Sequence, residues 1–150
     1  MPVFSRISQS KLNTCHPDLI TLFSEVVKEF DCTVLCGWRG EEEQNEAFRT
    51  GNSTKKWPDS THNHFERTGN KLTPLSLGVD VAPYPVNWKD EKRIYLFAGY
   101  VKATAARLLA EGKMKLRLRL GADWNSDTMV SNERFPDPTH FEVIDAPLSV

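Results

Sequence analysis

The sequence predicts an α+β domain, a small and largely antiparallel sheet with helices packed on it, and three observations carry that prediction. Helical periodicity is confined to a long run at 90–111 and two shorter ones at 17–31 and 41–51. Four short strand-like runs, CTVLCG, LGVDVAPY, KMKLRLRLG and HFEVI, fall around them. The resulting order, α-β-α-β-α-β-β, ends on consecutive strands and does not keep to the strict alternation of a parallel α/β sheet.

Each element has its own local cause. His16-Pro17-Asp18 opens a segment with Leu19, Phe23, Val26, Val27 and Phe30 at helical spacing. Pro17 suits a first turn, where its missing N–H is not needed. This helix is expected to end near Asp31. CTVLCG then reads as a short buried strand. EEEQNEAFRTG reads as a second helix, with acidic residues at its start, where the macrodipole favours them, and Gly51 closing it. From Asn52 to Pro74 the chain is polar and reads as a long irregular loop. Loops of that length inside a compact domain are usually functional or disordered, and two of the four histidines here favour function. LGVDVAPY is strand-like and is stopped by Pro83 and Pro85. In the longest helix Ile94, Phe97, Val101, Leu108 and Leu109 are expected to face the core, with Gly112 ending it. KMKLRLRLG alternates strictly, Met114 to Leu120 on one face and Lys113 to Arg119 on the other, as a half-buried strand should. A second long loop precedes the closing strand HFEVI.

The totals exclude several classes. With 150 residues the chain is most simply one domain, 1–150, large enough for a real core. Nineteen basic against twenty acidic side chains argue against broad phosphate neutralisation, so no nucleic-acid partner is expected. No apolar run approaches the roughly 20 residues of a membrane helix. MPVFSRISQSKLN lacks an apolar stretch long enough for a signal peptide, so synthesis in the cytoplasm is expected. Three cysteines do not make a disulfide framework. Cys32 and Cys36 would lie roughly 13 Å apart along a regular strand, too far for one metal, and are expected to be core thiols.

The chemistry concentrates on His62, Asp80 and His140, each where a loop meets a strand or on the strand itself. Two imidazoles and one carboxylate are a standard ligand set for a catalytic zinc, with the fourth position left open. Asp80 is the most informative of the three, because a carboxylate inside LGVDVA is partly buried and must be paired or bound to metal. A core pair with an arginine is the competing reading. In FPDPTHFEV, Asp137 precedes His140 by three residues, with Pro136 and Pro138 fixing its approach. It is either a general base beside a metal ligand or part of a turn before a strand.

Four ordered pieces carry a resemblance: W-R-G-x-x-x-Q at 38–44, S-x-H at 60–62, G-x-D-V-A-P-Y at 78–84, and G-A-D-W followed by D-x-x-H-F-E. Together they resemble the zinc D-Ala-D-Ala carboxypeptidases and L-alanyl-D-glutamate endopeptidases of bacterial cell walls, a family that includes many phage endolysins. The resemblance implies a fold like that of the D,D-peptidases and Hedgehog domains. It further implies one zinc held by His62, Asp80 and His140, with Asp137 as base. Arg39 would steady a carbonyl oxygen or a carboxylate, though a structural pair with Glu41 to Glu43 is the alternative. Gln44 and Ser60 match positions that line the substrate site. The implied substrate is a peptidoglycan stem peptide, and the implied enzyme is a phage-type L-alanyl-D-glutamate endopeptidase, a monomer reaching the wall after release from the cell. A D,D-carboxypeptidase of the same mechanism and a non-catalytic zinc-bearing binding module are the alternatives.

The sequence departs from the family in one place. Seventeen residues separate His62 from Asp80, more than the family usually has, and HFERTGNKLT resembles an insertion in a loop bordering the site. It leaves His64 as a neighbour that replaces or supports His62. The basic face of residues 113–119 would meet anionic wall polymers or simply be solvated. Asp123-x-Asn125-x-Asp127 imitates a calcium loop, but Thr128 and Arg134 stand where glycine and glutamate are required, so no EF-hand is expected.

Overall fold

A computed structural model describes residues 1–144 and contains four α-helices and six strands: α1 (Arg6–Leu12), α2 (Pro17–Glu29), β1 (Cys32–Cys36), α3 (Glu41–Arg49), β2 (Phe65–Thr68), β3 (Lys71–Pro74), β4 (Gly78–Pro83), α4 (Glu91–Ala110), β5 (Arg117–Leu120) and β6 (His140–Ile144). Strands β1-β4-β6-β5 form one sheet in which every pairing is antiparallel. Helices α2 and α4 pack on one face of it. Phe141 of β6 meets Phe23 of α2 edge-on at 5.3 Å and Phe97 of α4 at 6.1 Å. Val79, Val81, Val143 and Leu120 complete that dry layer. The α+β expectation holds.

Three elements differ from the sequence reading. Helix α1 was not foreseen, because seven residues are too few to show a period. Ser5 caps it, and Ser8 accepts a hydrogen bond from the backbone N–H of Val34 at 3.0 Å, so α1 covers the exposed edge of β1. Strand β5 is shorter than the alternating run, since the N–H groups of Lys115 and Leu116 donate to the buried carboxylate of Asp18 at 2.9 and 2.7 Å instead of to a ladder. The supposed irregular insertion contains the antiparallel ribbon β2–β3, separate from the main sheet. Its turn is Gly69-Asn70, with φ +62° at Gly69, a recognised two-residue hairpin signal that polar composition obscured. The ribbon leans on the loop before it through Phe65, which stacks on Trp57 at 5.9 Å.

Candidate active site

The cross-strand register assembles the site. On the face of the sheet away from α2 and α4, Cys36 of β1, Asp80 of β4 and His140 of β6 lie opposite one another in a row. The next row is Gly78, Glu142 of β6 and Arg119 of β5. Alternation puts these polar residues on one face and Val79, Phe141 and Val143 on the other. A bulge between Val34 and Cys36 breaks the period of β1 and turns Cys36 to the site face. That corrects the expectation for the cysteines. Cys32 is a buried core thiol, pushed up to about 12 by burial, whereas Cys36 borders the site. Burial would raise the Cys36 thiol as well, but hydrogen bonds with His62 and Arg39 bring it below its ordinary value.

His62 enters from a short 3-10 turn, Thr61–Asn63, capped reciprocally by Ser60 and Asn63. This turn packs against β4 closely enough that a Cβ at Gly78 would sit 2.4 Å from the Thr61 hydroxyl and 2.9 Å from the His140 ring. Asp80 Oδ1 then lies 3.4 Å from His62 Nε2 and 3.0 Å from His140 Nδ1. Each imidazole has its other nitrogen engaged: His62 Nδ1 contacts the Gly37 carbonyl at 2.7 Å, and His140 Nε2 contacts Glu142 at 2.8 Å. Glu142 is held in turn by Arg119 at 2.6 Å. Cys36 approaches His62 on the Nδ1 side, 3.8 Å away, and not on the Nε2 side that faces Asp80.

The charges are strongly coupled. Burial would keep His62 neutral, but its bonds to Asp80 and Cys36 outweigh that and raise it to about 10. His140 is raised by Asp80 and Glu142 against the same burial. Asp80, desolvated yet bonded to both rings, is held well below the usual carboxylate range. Asp137 moves the other way, raised by partial desolvation at the cleft wall and then by the charge of Asp80.

Asp137 is placed by a tight backbone crossing. Its N–H donates to the Gly121 carbonyl at 2.8 Å, and a Cβ on residue 121 would fall 2.0 Å from the Asp137 carbonyl oxygen, so only glycine fits there. A carboxylate oxygen of Asp137 thereby comes within 4.8 Å of ligand atoms of Asp80 and His140. Arg39 points its Nη2 at Asp80 Oδ2, 3.9 Å away, and its Nη1 at Gln44. Glu41, Glu42 and Glu43 are all exposed, and the guanidinium pairs with none of them. Around these residues is a cavity of about 640 Å³, lined also by Ser60, Trp124, Phe135 and residues 51–55.

The structure therefore brings together His62, Asp80, His140, Asp137, Arg39 and Ser60. Gln44, expected to line the cavity, is instead wholly buried behind its wall. His64 is exposed and outside the cavity, as is the ribbon, so the insertion does not border the cavity as expected. Glu142 and Arg119 were missed. The H-F-E alternation was the available signal, since residues two apart on a strand share a face. Asp123, whose carboxylate accepts the N–H groups of Asp127 and Thr128, organises its loop from within.

An α+β sheet that gathers two histidines and acidic residues in one cleft offers groups that could hold a metal ion. The sequence profile of the phage L-alanyl-D-glutamate peptidase family matches residues 2–144, and the chain belongs to that family. It is a peptidase acting on peptidoglycan. Its fold is similar to the crystal structure of Serratia marcescens L-Ala D-Glu endopeptidase ChiX, with a TM-score of 0.63 at 20% identity over 95% of this chain and 90% of that one. No curated protein sequence matches the chain. Among the described residues no helix is long and apolar enough to cross a membrane.

Proposed function

We propose that the chain cuts the L-alanyl-D-glutamate bond of peptidoglycan stem peptides with one zinc ion held by His62, Asp80 and His140. The observation that carries this reading is the single Asp80 oxygen between two imidazole nitrogens, each ring having its far nitrogen already tied to a carbonyl or a carboxylate. Such outer partners fix the tautomer and orientation that a metal-binding histidine needs. The donor set, two nitrogens and one oxygen, fits a catalytic zinc. When bound, the metal would supply Lewis acidity for the scissile carbonyl and acidify a water.

The protein's own groups divide the remaining work. Asp137 takes the proton of the attacking water and hands it to the leaving amine. Its elevated affinity for protons, from partial desolvation at the cleft wall and from the neighbouring Asp80, suits a group that must accept one. Arg39 holds the oxygen on which negative charge develops. Trp124, 5.5 Å from His140 and bonded through its indole N–H to the Phe135 carbonyl, closes one side of the cleft. In the same reading residues 1–150 make one peptidase domain, active as a monomer, that meets the wall after release from the cell in which it is made.

Metal analysis together with hydrolysis of a synthetic stem peptide tests the assignment. The purified protein should carry one zinc per chain and release free L-alanine-terminated product, chelation should stop the reaction, and His140→Ala should lose both metal and activity. Full zinc in His140→Ala, or unchanged cleavage after exhaustive chelation, would remove these ligands from the reading.

A further inference from the structure

The side chain of Gln44 uses both its amide oxygen and its amide nitrogen in two hydrogen bonds each, and it does not line the active-site cavity. It sits in the first turn of α3 with no exposed surface. Its Oε1 accepts from Arg39 Nη1 at 3.0 Å and from Asn63 Nδ2 at 3.0 Å. Its Nε2 donates to Ser53 Oγ at 2.9 Å and to the Lys55 carbonyl at 2.6 Å. The orientation of the amide is forced, because a guanidinium can only donate and a backbone carbonyl can only accept. One amide thus spans three separate parts of the cleft: the guanidinium after β1, the 53–55 wall after α3, and Asn63 next to His62.

We propose that Gln44 is a positioning residue for hydrolysis, acting through Arg39, whose aim it fixes while anchoring the 53–55 wall to the same point. The inference rests on the role given to Arg39 above. A free arginine samples many rotamers. Here Nη1 is held by Gln44 and Nε by the Cys36 sulfur at 3.3 Å, which leaves Nη2 as the end directed to Asp80 and the reacting centre. Exchange for an apolar isostere would strand two buried donors, on Arg39 and Asn63, and let the guanidinium turn toward the cavity water to be satisfied. No other side chain matches this set without loss. Glutamate would face the Lys55 carbonyl with a second acceptor, and asparagine is one methylene too short to reach both sides.

The test is a double-mutant cycle on a soluble stem peptide, with zinc content and kcat and KM measured for each protein. Gln44→Met should keep its zinc and lower kcat/KM by about 10- to 100-fold, the scale of a misplaced catalytic group. In an Arg39→Ala background the same exchange should cost less than about threefold, since effects that share one partner do not add. Equal losses in both backgrounds would overturn the proposal and leave Gln44 as plain scaffolding. Should Gln44→Met fail to fold, Gln44→Asn keeps a polar amide and closes the same cycle. A wild-type protein inactive on the peptide would instead defeat the peptidase reading itself. Full activity in Arg39→Ala would defeat the role of Arg39 and the proposal with it.

Discussion

The two faces of the central sheet are made from alternate residues of the same strands, yet they obey opposite rules. On one, Val79, Phe141 and Val143 are almost fully buried against α2 and α4 and make no polar contact through their side chains. On the other, Asp80, His140 and Glu142 are buried or half-buried too, but each is balanced by a charge or a hydrogen bond from a different strand or loop. The apolar face is held by area removed from water and tolerates any tight filling. The polar face is stable only as a complete set, because one missing partner leaves another group desolvated and unpaired. Position 140–142 compresses the contrast into three residues, His-Phe-Glu, where the middle one belongs to the core and its neighbours to the site.

The sharpest way to break this comparison is to change one residue on each face and ask which property falls. Asp137→Asn, at the edge of the polar face, should retain fold and zinc and lose activity by about 100-fold or more, the range of a general base. Phe141→Ala should do the reverse. It should cost about 3–5 kcal/mol of stability through the cavity it leaves, while the protein that stays folded binds zinc. Denaturant titration, metal analysis and peptide hydrolysis on both variants check this. Near-normal turnover in Asp137→Asn would take it out of the mechanism.

The same contrast accounts for what was legible in the sequence. The apolar face was readable almost residue by residue, since period-2 and period-3.6 patterns are local properties of the chain. Of the polar face, Asp80 stood out as a carboxylate inside an apolar run, and His62 and His140 followed from motif order. Glu142 and Arg119 did not, because an acid in HFEVI and a base in RLRL look like ordinary solvated positions until the register pairs them. Cys36 was hidden by a bulge, and a bulge has no signature in CTVLCG. Gln44 was noticed for its place in W-R-G-x-x-x-Q, but its burial depends on segments 9 to 19 residues away in sequence.

A smaller effect tests the outer ring of the polar face. Glu142 touches His140 on the nitrogen away from Asp80, so under the proposed zinc assignment it would orient a ligand without being one. Glu142→Gln should weaken zinc binding by about 10- to 100-fold, as loss of an outer partner does, with little change in thermal stability of the loaded protein. Competition with a chromophoric chelator measures it. An unchanged affinity would reduce Glu142 to the structural partner of Arg119.

The coupled protons give a prediction with a definite sign. In the metal-free protein His62 is raised to about 10, so at neutral pH it carries a proton that zinc must expel, and His140 is shifted in the same direction. Apparent affinity should therefore keep rising between pH 7 and 8, by about 10-fold for each proton released. A site of two ordinary imidazoles would flatten above about pH 6.5. Calorimetry in buffers of different ionisation enthalpy counts the protons directly, and a flat profile would mean that Asp80 does not hold the rings in their charged form.

The smallest effect is expected where neither face is touched. The ribbon β2–β3 pairs only with itself as a sheet and leaves Glu66, Arg67, Thr68, Lys71 and Thr73 exposed. Its inner end matters more, because Phe65 stacks on Trp57 and Trp57 meets Trp38 edge-on at 6.2 Å. Glu66 and Thr73 are cross-strand partners, so Asn-Gly can replace Arg67–Leu72 and close a shorter turn between them. Closure entropy changes by only about 0.6 kcal/mol per doubling of loop length, and it favours the shorter chain. Zinc content should stay the same, and hydrolysis of a soluble stem peptide should stay within about twofold, as for surface changes remote from a site. Loss of zinc in the shortened protein would mean that the ribbon supports His62 from behind. A large fall in peptide hydrolysis with zinc retained would mean that the substrate reaches beyond the cavity to the ribbon.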